Sequence, residues 1–404
     1  MKVKVLLLTQ WFDPEPTFKG LAFARELTKL NVEVDVITGF PNYPGGKVYD
    51  GYKIKYYQQE IIENIIINRV PIYPHHGRSA LKRVFNYTSF FLSSVIYGMF
   101  RRQRMDVIYA YHPPLTTALS AAIISSFRKT PFVVDIQDLW PDTLATTGML
   151  TNKKILKIVD GVCNFIYRRA AKIVVLSPGF KNKLISRGVP ANKIEVIYNW
   201  CDEENIRNFK NSSITLPSDK FNIVFAGNLG LAQGLPSIIS AAKLLQEKCV
   251  GANIVFVGSG VAEPEARKLV EDGGIENVIF IPRVPVSEIG DILQQADSLL
   301  VHLIKDELFS ITIPSRTQAY MASGKPIIMA VDGDAADLVR DANAGIVCKS
   351  DDPISIADGI QTLTLLSEAE LKKLGANGAE FYRSKLSLEA GVKKFISVFE
   401  QVVK

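Results

Sequence analysis

Short continuous apolar runs alternate with segments of helical period along almost the whole chain. The runs are rich in β-branched residues and are not interrupted by polar ones, which is typical of parallel strands buried on both faces. A helical period over residues 18–30 separates the first two runs. Strands separated by helices predict βαβ units in a doubly wound sheet. In the first half of the chain the predicted strands are residues 3–9, 32–38, 106–111, 132–136, 173–176 and 194–198.

A second pattern of the same kind begins at Phe221. Residues 201–220, which precede it, are polar and have no clear period, so they are predicted to form an interdomain linker. Residues 386–404 predict one amphipathic helix that could pack on either domain. The chain is therefore predicted to be an α/β protein with two Rossmann-like domains, residues 1–200 and 221–385, that face each other across a cleft. In the second domain the predicted strands are residues 222–226, 253–258, 277–281, 298–303 and 326–330.

Charge is distributed unevenly between the two halves. Residues 1–200 contain 27 Lys/Arg and 14 Asp/Glu, a net charge of +13, whereas the remaining residues contain 20 and 27, a net charge of −7. A basic first half predicts an anionic partner such as a membrane surface or a phosphorylated substrate. Nucleic acid is disfavoured because the chain has no long Lys/Arg block and no basic motif interleaved with aromatic residues.

Cysteine usage and the first residues indicate the compartment. The four cysteines lie far apart with no CxxC pair, which excludes a disulfide scaffold or a CxxC zinc site and fits a reducing environment. The first apolar run, residues 5–8, is too short for the core of a secretory signal. We therefore expect a cytoplasmic protein.

One uncharged stretch could contact a membrane. Residues 84–100 carry no charge and are flanked by basic residues on both sides. A transmembrane helix needs about 20 residues, so a true span is the weakest of three interpretations. The others are a buried core helix and a helix that touches the bilayer while its basic ends meet anionic lipid. The flanking basic residues are Arg78, Lys82, Arg83, Arg101, Arg102 and Arg104.

Glycines follow two predicted strands of the second domain. The sequence FNIVFAGNLGLAQG, residues 221–234, predicts a strand, a glycine-rich turn and the start of a helix. Such a turn brings backbone N–H groups close to a phosphate, although a purely structural turn explains it as well. The next strand ends at Gly258, and the third is followed by Arg283 and Val284. Arg283 could bind phosphate or lie in solvent.

A later helix predicts an anion site. Pro314 marks its start and Gly324 its end. Its first turn contains Ser315 and Arg316. A helix N-terminus combined with a bidentate guanidinium suits a diphosphate.

The second half of the chain resembles the nucleotide-sugar half of the retaining GT-B-fold glycosyltransferases of family 4. The resemblance is carried by four elements in this order: AGNLGLAQG, GSG, the arginine after the third strand and IPSRTQAYMASGKPI. The resemblance extends over nearly the whole chain and is strongest to O-antigen and capsule transferases, in particular the WbuB-like transferases of N-acetyl-L-fucosamine. It implies transfer of a sugar from a nucleoside diphosphate donor, expected to be a UDP-sugar, to a lipid-linked saccharide. We predict no metal or other cofactor. The basic first half and the basic-flanked stretch at residues 84–100 predict a peripheral location on the inner face of the plasma membrane.

The resemblance also implies which residues bind the donor. The glycine-rich loop and the helix that begins at Ser315 would hold the diphosphate, and the backbone at Arg283 would meet the base. Gln318 would bind a ribose hydroxyl, and Asn199 would lie at the domain hinge. The complete expected donor set is Lys19, Gly20, Asn199, Gly227, Asn228, Gly230, Gln233, Gly258, Arg283, Val284, Ser315, Arg316 and Gln318.

The chain departs from the family pattern at three positions. Most members have two glutamates eight residues apart, where this sequence has Ser310 and Gln318, with Asp306 and Glu307 as the nearest carboxylates. A lysine that many members carry in the glycine-rich loop is Gln233. The phosphate site is then expected to depend on Arg316, with Lys325 as a second candidate.

Candidate catalytic residues follow two strands of the first domain. Residues 135–142, DIQDLWPD, place three carboxylates after a buried strand, where they must be solvated, paired or used. The resemblance implies an acceptor-facing aspartate here; Asp138 is the first choice and Asp142 the second, unless Asp142 caps the next helix. His112 follows another strand, in a binding or a structural role.

Two further motifs suggest no metal. Residues 332–334, Asp-Gly-Asp, resemble the metal-binding DxD of a different glycosyltransferase fold but here follow a late strand, which predicts a turn. His75 and His76 have no further ligands nearby in sequence.

Two other functions fit the same fold. A nucleotide-sugar 2-epimerase would need cleft carboxylates and no acceptor groove, and the basic, aromatic region 71–104 argues against it. A non-catalytic nucleotide-sugar-binding protein gains support from the missing glutamate pair.

Overall fold

The structure is a computed structural model that describes residues 2–77, 79–146 and 148–403. The chain divides into two compact units. Unit 1 comprises Met1–Tyr198 together with Gly391–Lys404, and unit 2 comprises Asn199–Ala390.

Unit 1 contains an eight-stranded sheet in the order β3-β4-β2-β1-β5-β6-β7-β8, parallel except for the pair β3–β4. Its strands are β1 (Lys4–Leu8), β2 (Glu33–Gly39), β3 (Gln58–Ile62), β4 (Ile65–Val70), β5 (Val107–His112), β6 (Phe132–Ile136), β7 (Lys172–Val175) and β8 (Ile194–Val196). Its helices before unit 2 are α1 (Leu21–Lys29), α2 (Ala80–Phe100), α3 (Leu115–Arg128), α4 (Asp142–Thr146), α5 (Lys153–Arg169) and α6 (Pro178–Ser186).

The β3–β4 hairpin is absent from the strands predicted by the apolar runs. Its turn consists of Glu63 and Asn64, both with positive φ (51° and 64°), as a two-residue type I′ turn requires. Neither residue is glycine, so the sequence has no strong turn signal at this point.

Unit 2 contains a six-stranded parallel sheet in the order β11-β10-β9-β12-β13-β14, the doubly wound order of a Rossmann sheet. Its strands are β9 (Phe221–Ala226), β10 (Ala252–Val257), β11 (Val278–Ile281), β12 (Ser298–His302), β13 (Ile327–Ala330) and β14 (Gly345–Val347). Its helices are α7 (Glu203–Arg207), α8 (Leu235–Glu247), α9 (Glu263–Asp272), α10 (Val286–Gln295), α11 (Glu307–Ser310), α12 (Ser315–Ser323), α13 (Asp334–Ala342), α14 (Pro353–Thr364) and α15 (Glu368–Phe381).

Residues 201–220, predicted as a linker, lie within unit 2. Ile206 of α7 and Leu216 are buried, and the Leu216 N–H donates a hydrogen bond to Gln295 of α10 at 2.9 Å. The Cys201 N–H donates to the Tyr382 hydroxyl at 3.2 Å. The segment is polar in composition, but its few apolar residues attach it to the unit.

A π-helical turn, Tyr382–Leu386, precedes the last helix, α16 (Leu388–Val403). From Gly391 onward this helix belongs to unit 1. The Phe395 ring lies 5.2 Å from that of Phe23 and 5.3 Å from that of Tyr109, between centroids. The amphipathic pattern left both domains possible, and the structure assigns the helix to the first.

Helix α2 buries a side that is small and polar apart from Phe90, and it exposes several large apolar residues. The buried residues are Asn86, Phe90, Ser94 and Gly98, where a Cβ at Gly98 would lie 2.5 Å from Ile124 of α3. The exposed apolar residues are Leu81, Val84, Phe85, Leu92, Ile96 and Phe100. Among the described residues, no helix is both long and apolar enough to cross a membrane.

Candidate functional site

Unit 2 has a cavity of about 330 Å³ at the carboxyl ends of β9, β10 and β11. One wall is apolar, and Ile206 of the predicted linker contributes to it. Polar groups enter from the strand ends and from the first turn of α12. Pockets for small ligands combine mostly apolar walls with a few polar groups in this way. The lining residues are Ile206, Ala226, Gly227, Asn228, Val257, Gly258, Ser259, Arg283, Val284, Val286, Ile289, Leu293, Arg316, Ala319 and Tyr320.

Two glycines bring the strand ends into backbone contact at this cavity. Gly227 has φ +129° and Gly258 has φ +142°, values that residues with a Cβ rarely adopt. A Cβ added to Gly258 would overlap the carbonyl oxygen of Gly227. The rim between β9 and β10 is therefore bare backbone, which a ligand can approach closely.

Two arginines line this cavity, and Arg316 is the less exposed of them. Its guanidinium carbon lies 4.1 Å from the centroid of the Phe225 ring. Its Nη1 is buried and has no hydrogen-bond partner in the described part of the chain. Burial lowers the pKa of Arg316, but an arginine keeps its charge at physiological pH. A buried, unpaired guanidinium nitrogen next to bare backbone favours an anionic ligand.

The start of α12 adds backbone donors to the same place. The N-cap residue Pro314 provides no side-chain cap for the first N–H groups. Ser315 is exposed in the first turn. Uncapped N–H groups at a helix N-terminus attract negative charge.

The buried side chain of His302 contacts the backbone of the glycine-rich loop. The Gln233 side chain accepts a hydrogen bond from the Gly230 N–H at 3.0 Å, so it closes the loop. The Gln233 carbonyl lies 2.7 Å from Nδ1 of His302, whose Nε2 accepts the Asp351 N–H at 3.3 Å. His302 is fully buried at the end of β12, and burial lowers its pKa. Sequence reasoning missed His302; the only signal was a polar residue at the end of an apolar run.

Several expected ligand residues point elsewhere. The buried Gln318 amide donates to the carbonyls of Pro314 and Ser315, each at 3.0 Å, and does not line the cavity. Lys325 donates to the Gln294 carbonyl at 2.6 Å. Asp306 caps α11 by accepting the Leu308 N–H at 2.8 Å.

Lys19 of unit 1 is buried within an aromatic environment. Its ammonium lies 4.0 Å from Asp135 Oδ2, 5.6 Å from the Phe23 centroid and 5.1 Å from the Phe395 centroid. Burial lowers the pKa of Lys19 to about 8, although Asp135 opposes the shift. Asp135 also accepts hydrogen bonds from Tyr109 at 2.5 Å and Gln137 at 2.7 Å, and burial raises its pKa. The structure thus pairs Lys19 internally, whereas the resemblance implied a donor phosphate nearby.

Gly20, the other expected phosphate contact in unit 1, is the N-cap of α1. The Asp13 carboxylate accepts the Leu21 N–H at 2.6 Å and occupies the space that a Cβ on Gly20 would need. An internal carboxylate therefore already caps this helix.

The candidate catalytic residues differ in their surroundings. Asp142 is ion-paired with Arg187. Asp138 is half-buried, and no other described group forms an ion pair or side-chain hydrogen bond with it in the structure. Burial raises the pKa of Asp138, which makes its carboxylate a better proton acceptor. Of the two aspartates, Asp138 is the one available to a ligand.

His112 lies at the same sheet edge as Asp138. The Gln137 N–H donates to the His112 carbonyl at 3.0 Å, so the ends of β5 and β6 are joined. Burial lowers the pKa of His112 to about 4, and the ring is therefore neutral near pH 7. Its Nδ1 has no hydrogen-bond partner among the described residues, and its ring lies edge-on to Trp140 at 5.3 Å.

Asn199 and the two motifs that suggested no metal complete the predicted site. Asn199 is the first residue of unit 2. Asp332 accepts the Ser350 N–H at 3.3 Å, and Gly333 forms the turn into α13. In the described ranges there is no group of three or more His, Cys, Asp or Glu residues that could hold a metal ion.

Comparison with known families identifies the class. Residues 206–381 match the family described as glycosyl transferases group 1, and residues 21–200 match the glycosyl transferase 4-like domain. The chain therefore belongs to the glycosyltransferases of GT-B fold. This confirms the prediction of an α/β GT-B protein with two Rossmann-like units.

Individual relatives are distant. The chain is 27% identical over 336 residues to the putative colanic acid biosynthesis glycosyl transferase WcaI of Escherichia coli, covering 80% of this chain and 82% of WcaI. It is 23% identical to the probable glycosyltransferase WbjE of Pseudomonas aeruginosa, covering 73% and 74%. Among solved structures it resembles sucrose-phosphate synthase from Thermosynechococcus elongatus, with TM-score 0.71, 15% identity and 99% of both chains covered. It also resembles Anabaena HepE in complex with UDP and glucose, with TM-score 0.67, 17% identity and 98% and 99% covered.

Proposed function

We propose that this protein is a retaining glycosyltransferase that moves a sugar from a UDP-sugar to a lipid-linked saccharide during surface polysaccharide assembly. Support comes from the name of WcaI, which places that relative in colanic acid biosynthesis, and from HepE, a structural neighbour solved with UDP-glucose. The resemblance to WbuB-like transferases makes N-acetyl-L-fucosamine or a related amino sugar the donor sugar that we expect.

The observation that carries the proposal is the Nη1 of Arg316, which has no partner among the described residues and lies at a cavity with one apolar wall. A nucleoside diphosphate combines a flat base, which suits the apolar wall, with adjacent negative charges. Those charges suit Arg316, the rim glycines and the uncapped start of α12. The cavity thereby matches both ends of such a ligand.

In the proposed reaction the acceptor hydroxyl attacks the anomeric carbon on the face from which the diphosphate departs. The bond between the anomeric carbon and the phosphate oxygen breaks, and the hydroxyl proton passes to the departing diphosphate. No covalent intermediate, metal or other cofactor takes part. Arg316 and the N-terminus of α12 stabilise the charge that develops on the leaving group. Asp138 orients the acceptor hydroxyl, and the neutral His112 lies at the same sheet edge.

The exposed apolar side of α2 supports a peripheral membrane location. It carries Leu81, Phe85, Leu92, Ile96 and Phe100 on a helix that is basic at both ends, as a helix lying in the surface of an anionic bilayer requires. We call these five residues the membrane-facing surface. The accompanying basic residues with exposed or half-buried side chains are Lys82, Arg83, Arg102 and Arg104. Arg101 is instead buried and paired with Asp35, and Arg78 lies outside the described residues.

The proposal is tested by a thermal-shift screen of nucleoside diphosphates and nucleotide sugars, because a ligand that binds the folded state raises the melting temperature. We expect UDP and one or a few UDP-sugars to stabilise the protein. Incubation of that donor with a lipid-linked saccharide should yield a glycoside with the anomeric configuration of the donor, as shown by NMR. An isomerised donor without acceptor would instead identify an epimerase. Binding without any turnover would identify a nucleotide-sugar-binding protein.

A further inference from the structure

Three loops of unit 1 bring aromatic rings together at one edge of the sheet. Trp11 follows β1, Tyr43 follows β2 and His76 follows β4, and these three strands are parallel neighbours. The ring centroids of Trp11 and Tyr43 are 4.7 Å apart, and that of His76 lies 5.0 Å from Tyr43 and 5.9 Å from Trp11. We call these three residues the aromatic cluster.

The cluster and the residues next to it in sequence carry buried polar atoms that have no hydrogen-bond partner in the described part of the chain. Gln10 is fully buried, and its Nε2 donates to Asn86 at 2.7 Å, which leaves its Oε1 unpaired. In the described residues there is likewise no partner for Nε1 of Trp11 or for Nε2 of His75 and His76. Buried polar groups are normally hydrogen-bonded, so four such atoms in one loop cluster suit a ligand with several hydrogen-bonding groups.

The carboxylate of Glu15 holds two of the loops that carry the cluster in place. Glu15 is almost fully buried, and its carboxylate accepts the Asn42 and Tyr43 N–H groups at 2.7 and 2.8 Å. It also accepts the Phe12 N–H at 3.1 Å. One side chain therefore fixes both the loop after β1 and the loop after β2, which makes the aromatic cluster a preformed surface.

We propose that the aromatic cluster, with Gln10 and His75, binds a sugar ring of the lipid-linked acceptor. A pyranose has an apolar face of C–H groups that packs on aromatic rings, and a rim of hydroxyls that both donate and accept hydrogen bonds. The cluster offers rings together with unpaired donors and acceptors. The inference rests on the proposed function, since it specifies where that reaction's acceptor binds.

The position of the cluster relative to Asp138 fits a saccharide. The sheet order places β5 between β1 and β6, so Trp11 and Asp138 follow strands two places apart. Neighbouring strands are about 4.8 Å apart, which separates these strand ends by about 10 Å. That span accommodates a reacting sugar at Asp138 and the next sugar on the cluster.

The membrane-facing surface begins next to the cluster. The Asn86 amide, which orients Gln10, also donates to the Tyr73 carbonyl at 2.6 Å. The Tyr73 ring packs on Phe85 of the membrane-facing surface, with centroids 6.4 Å apart. A lipid chain on α2 would therefore lead directly to a saccharide on the cluster. Burial also lowers the pKa of His76, which favours an uncharged ligand over a phosphate.

Saturation-transfer NMR on the full chain tests the site. The probes are octyl glycosides of glucose, galactose, N-acetylglucosamine and fucose, with octyl phosphate as the charged comparison. We expect saturation of sugar-ring protons in the wild type and in the control Tyr56→Ala, which alters a fully exposed aromatic residue of the same unit (98% exposed). Trp11→Ala should abolish the sugar signal and keep the alkyl signal. Absence of sugar-ring saturation with every glycoside, stronger binding of octyl phosphate, or an unchanged sugar signal in Trp11→Ala would each overturn the proposal.

Steady-state kinetics separates this site from the reaction itself. Trp11→Ala should raise the acceptor KM at least tenfold while the UDP-sugar KM and the slow hydrolysis of donor without acceptor stay within twofold of wild type. Unchanged hydrolysis also shows that Trp11→Ala is folded. If transfer proceeds with an unchanged acceptor KM, the sugar site is wrong and the proposed function stands. If glycosides bind through Trp11 but no donor is turned over, the sugar site stands and the proposed function fails.

Discussion

The guanidinium of Arg316 stacks on the ring of Phe225, with its carbon 4.1 Å from the ring centroid. This cation–π contact fixes the plane of the guanidinium, and its Nη1 has no partner among the residues that the structure describes. Arg316→Ala should therefore weaken UDP binding by about 10- to 150-fold, the equivalent of about 1.5–3 kcal/mol for a charge-assisted hydrogen bond. Isothermal titration calorimetry with UDP measures the change.

Arg316→Lys should recover part of this loss, because lysine supplies charge but no planar fork. Arg283→Ala is the matched control, since Arg283 is exposed at the rim of the same cavity and should matter less. Loss of activity on treatment with EDTA, or a severe effect of Arg283→Ala alongside a silent Arg316→Ala, would show that the diphosphate is held elsewhere.

Asp138→Asn should reduce turnover by about 100-fold, because the variant no longer orients the acceptor hydroxyl and a misplaced reacting group costs about this factor. UDP affinity should stay the same, because Asp138 belongs to unit 1 and the cavity is formed by unit 2. Asp142→Asn is the comparison: it breaks the ion pair with Arg187 and should affect stability more than turnover. A parallel loss of UDP affinity in Asp138→Asn would contradict its assignment to the acceptor.

The titrations of Glu15 and His112 should change the free energy of unfolding in opposite directions as the pH falls. Burial raises the pKa of Glu15 to about 7, so its stabilising effect is present below the unfolded value of 4.5 and is lost as the pH rises towards 7. Burial lowers the pKa of His112 to about 4, so its contribution is present above 6.5 and is lost as the pH falls towards 4. Each effect has a slope of about 1.4 kcal/mol per pH unit.

Urea unfolding between pH 4.5 and 6.5 separates these two opposing effects. The free energy of unfolding of Glu15→Gln should fall on acidification more steeply than that of the wild type. That of His112→Gln should fall less steeply or rise. Equal pH slopes in all three proteins would mean that neither group titrates as its burial implies.

Lys19→Met should destabilise the protein by about 3–5 kcal/mol, because it leaves Asp135 buried without its cation. Asp135→Asn in the same chain should restore part of the loss, so the two changes should not be additive in chemical denaturation. A Lys19→Met variant of normal stability that binds UDP poorly would instead support the donor-phosphate role implied by the family resemblance.

The membrane-facing surface, together with the basic residues at both ends of α2, predicts binding to anionic vesicles that weakens as salt is added. Replacing Lys82 and Arg102, both exposed at opposite ends of α2, with glutamine should weaken binding in a flotation assay at low salt. Phe85→Ser and Ile96→Ser together should weaken binding at high salt as well, because they remove apolar area that becomes buried in the bilayer on binding. Equal binding to neutral and anionic vesicles would exclude the electrostatic contribution.

The sequence predicted every parallel strand except β4 and β14, because residues such as Val5 and Leu300 are buried on both sides of their sheets and produce unbroken apolar runs. It missed the β3–β4 hairpin because the turn uses Glu63 and Asn64 instead of glycine. It left the packing of α16 open because an amphipathic pattern shows that one face is buried but not what covers it.

The donor cavity was predicted in outline, since glycines and Arg316 occur at strand ends and at a helix start. The orientation of Gln318 could not be predicted, because its amide satisfies nearby carbonyls rather than a ligand. The pairing of Lys19 with Asp135 also escaped prediction, because they lie 116 positions apart in the chain and meet only through the sheet. Partners that are distant in sequence leave no local pattern.

Because residues 391–404 return to unit 1, unit 2 is topologically an insertion into unit 1. A fragment that ends at Tyr198 would lack Phe395 and Phe399, whose rings pack on Tyr109, and it would lose the contact of Phe395 with the Lys19 ammonium. Such a fragment would expose part of its own core and tend to aggregate. A synthetic peptide of residues 391–404, added in trans, should restore the solubility of this fragment. The first unit is therefore suited to fragment complementation. The second unit can be excised as one continuous stretch of chain.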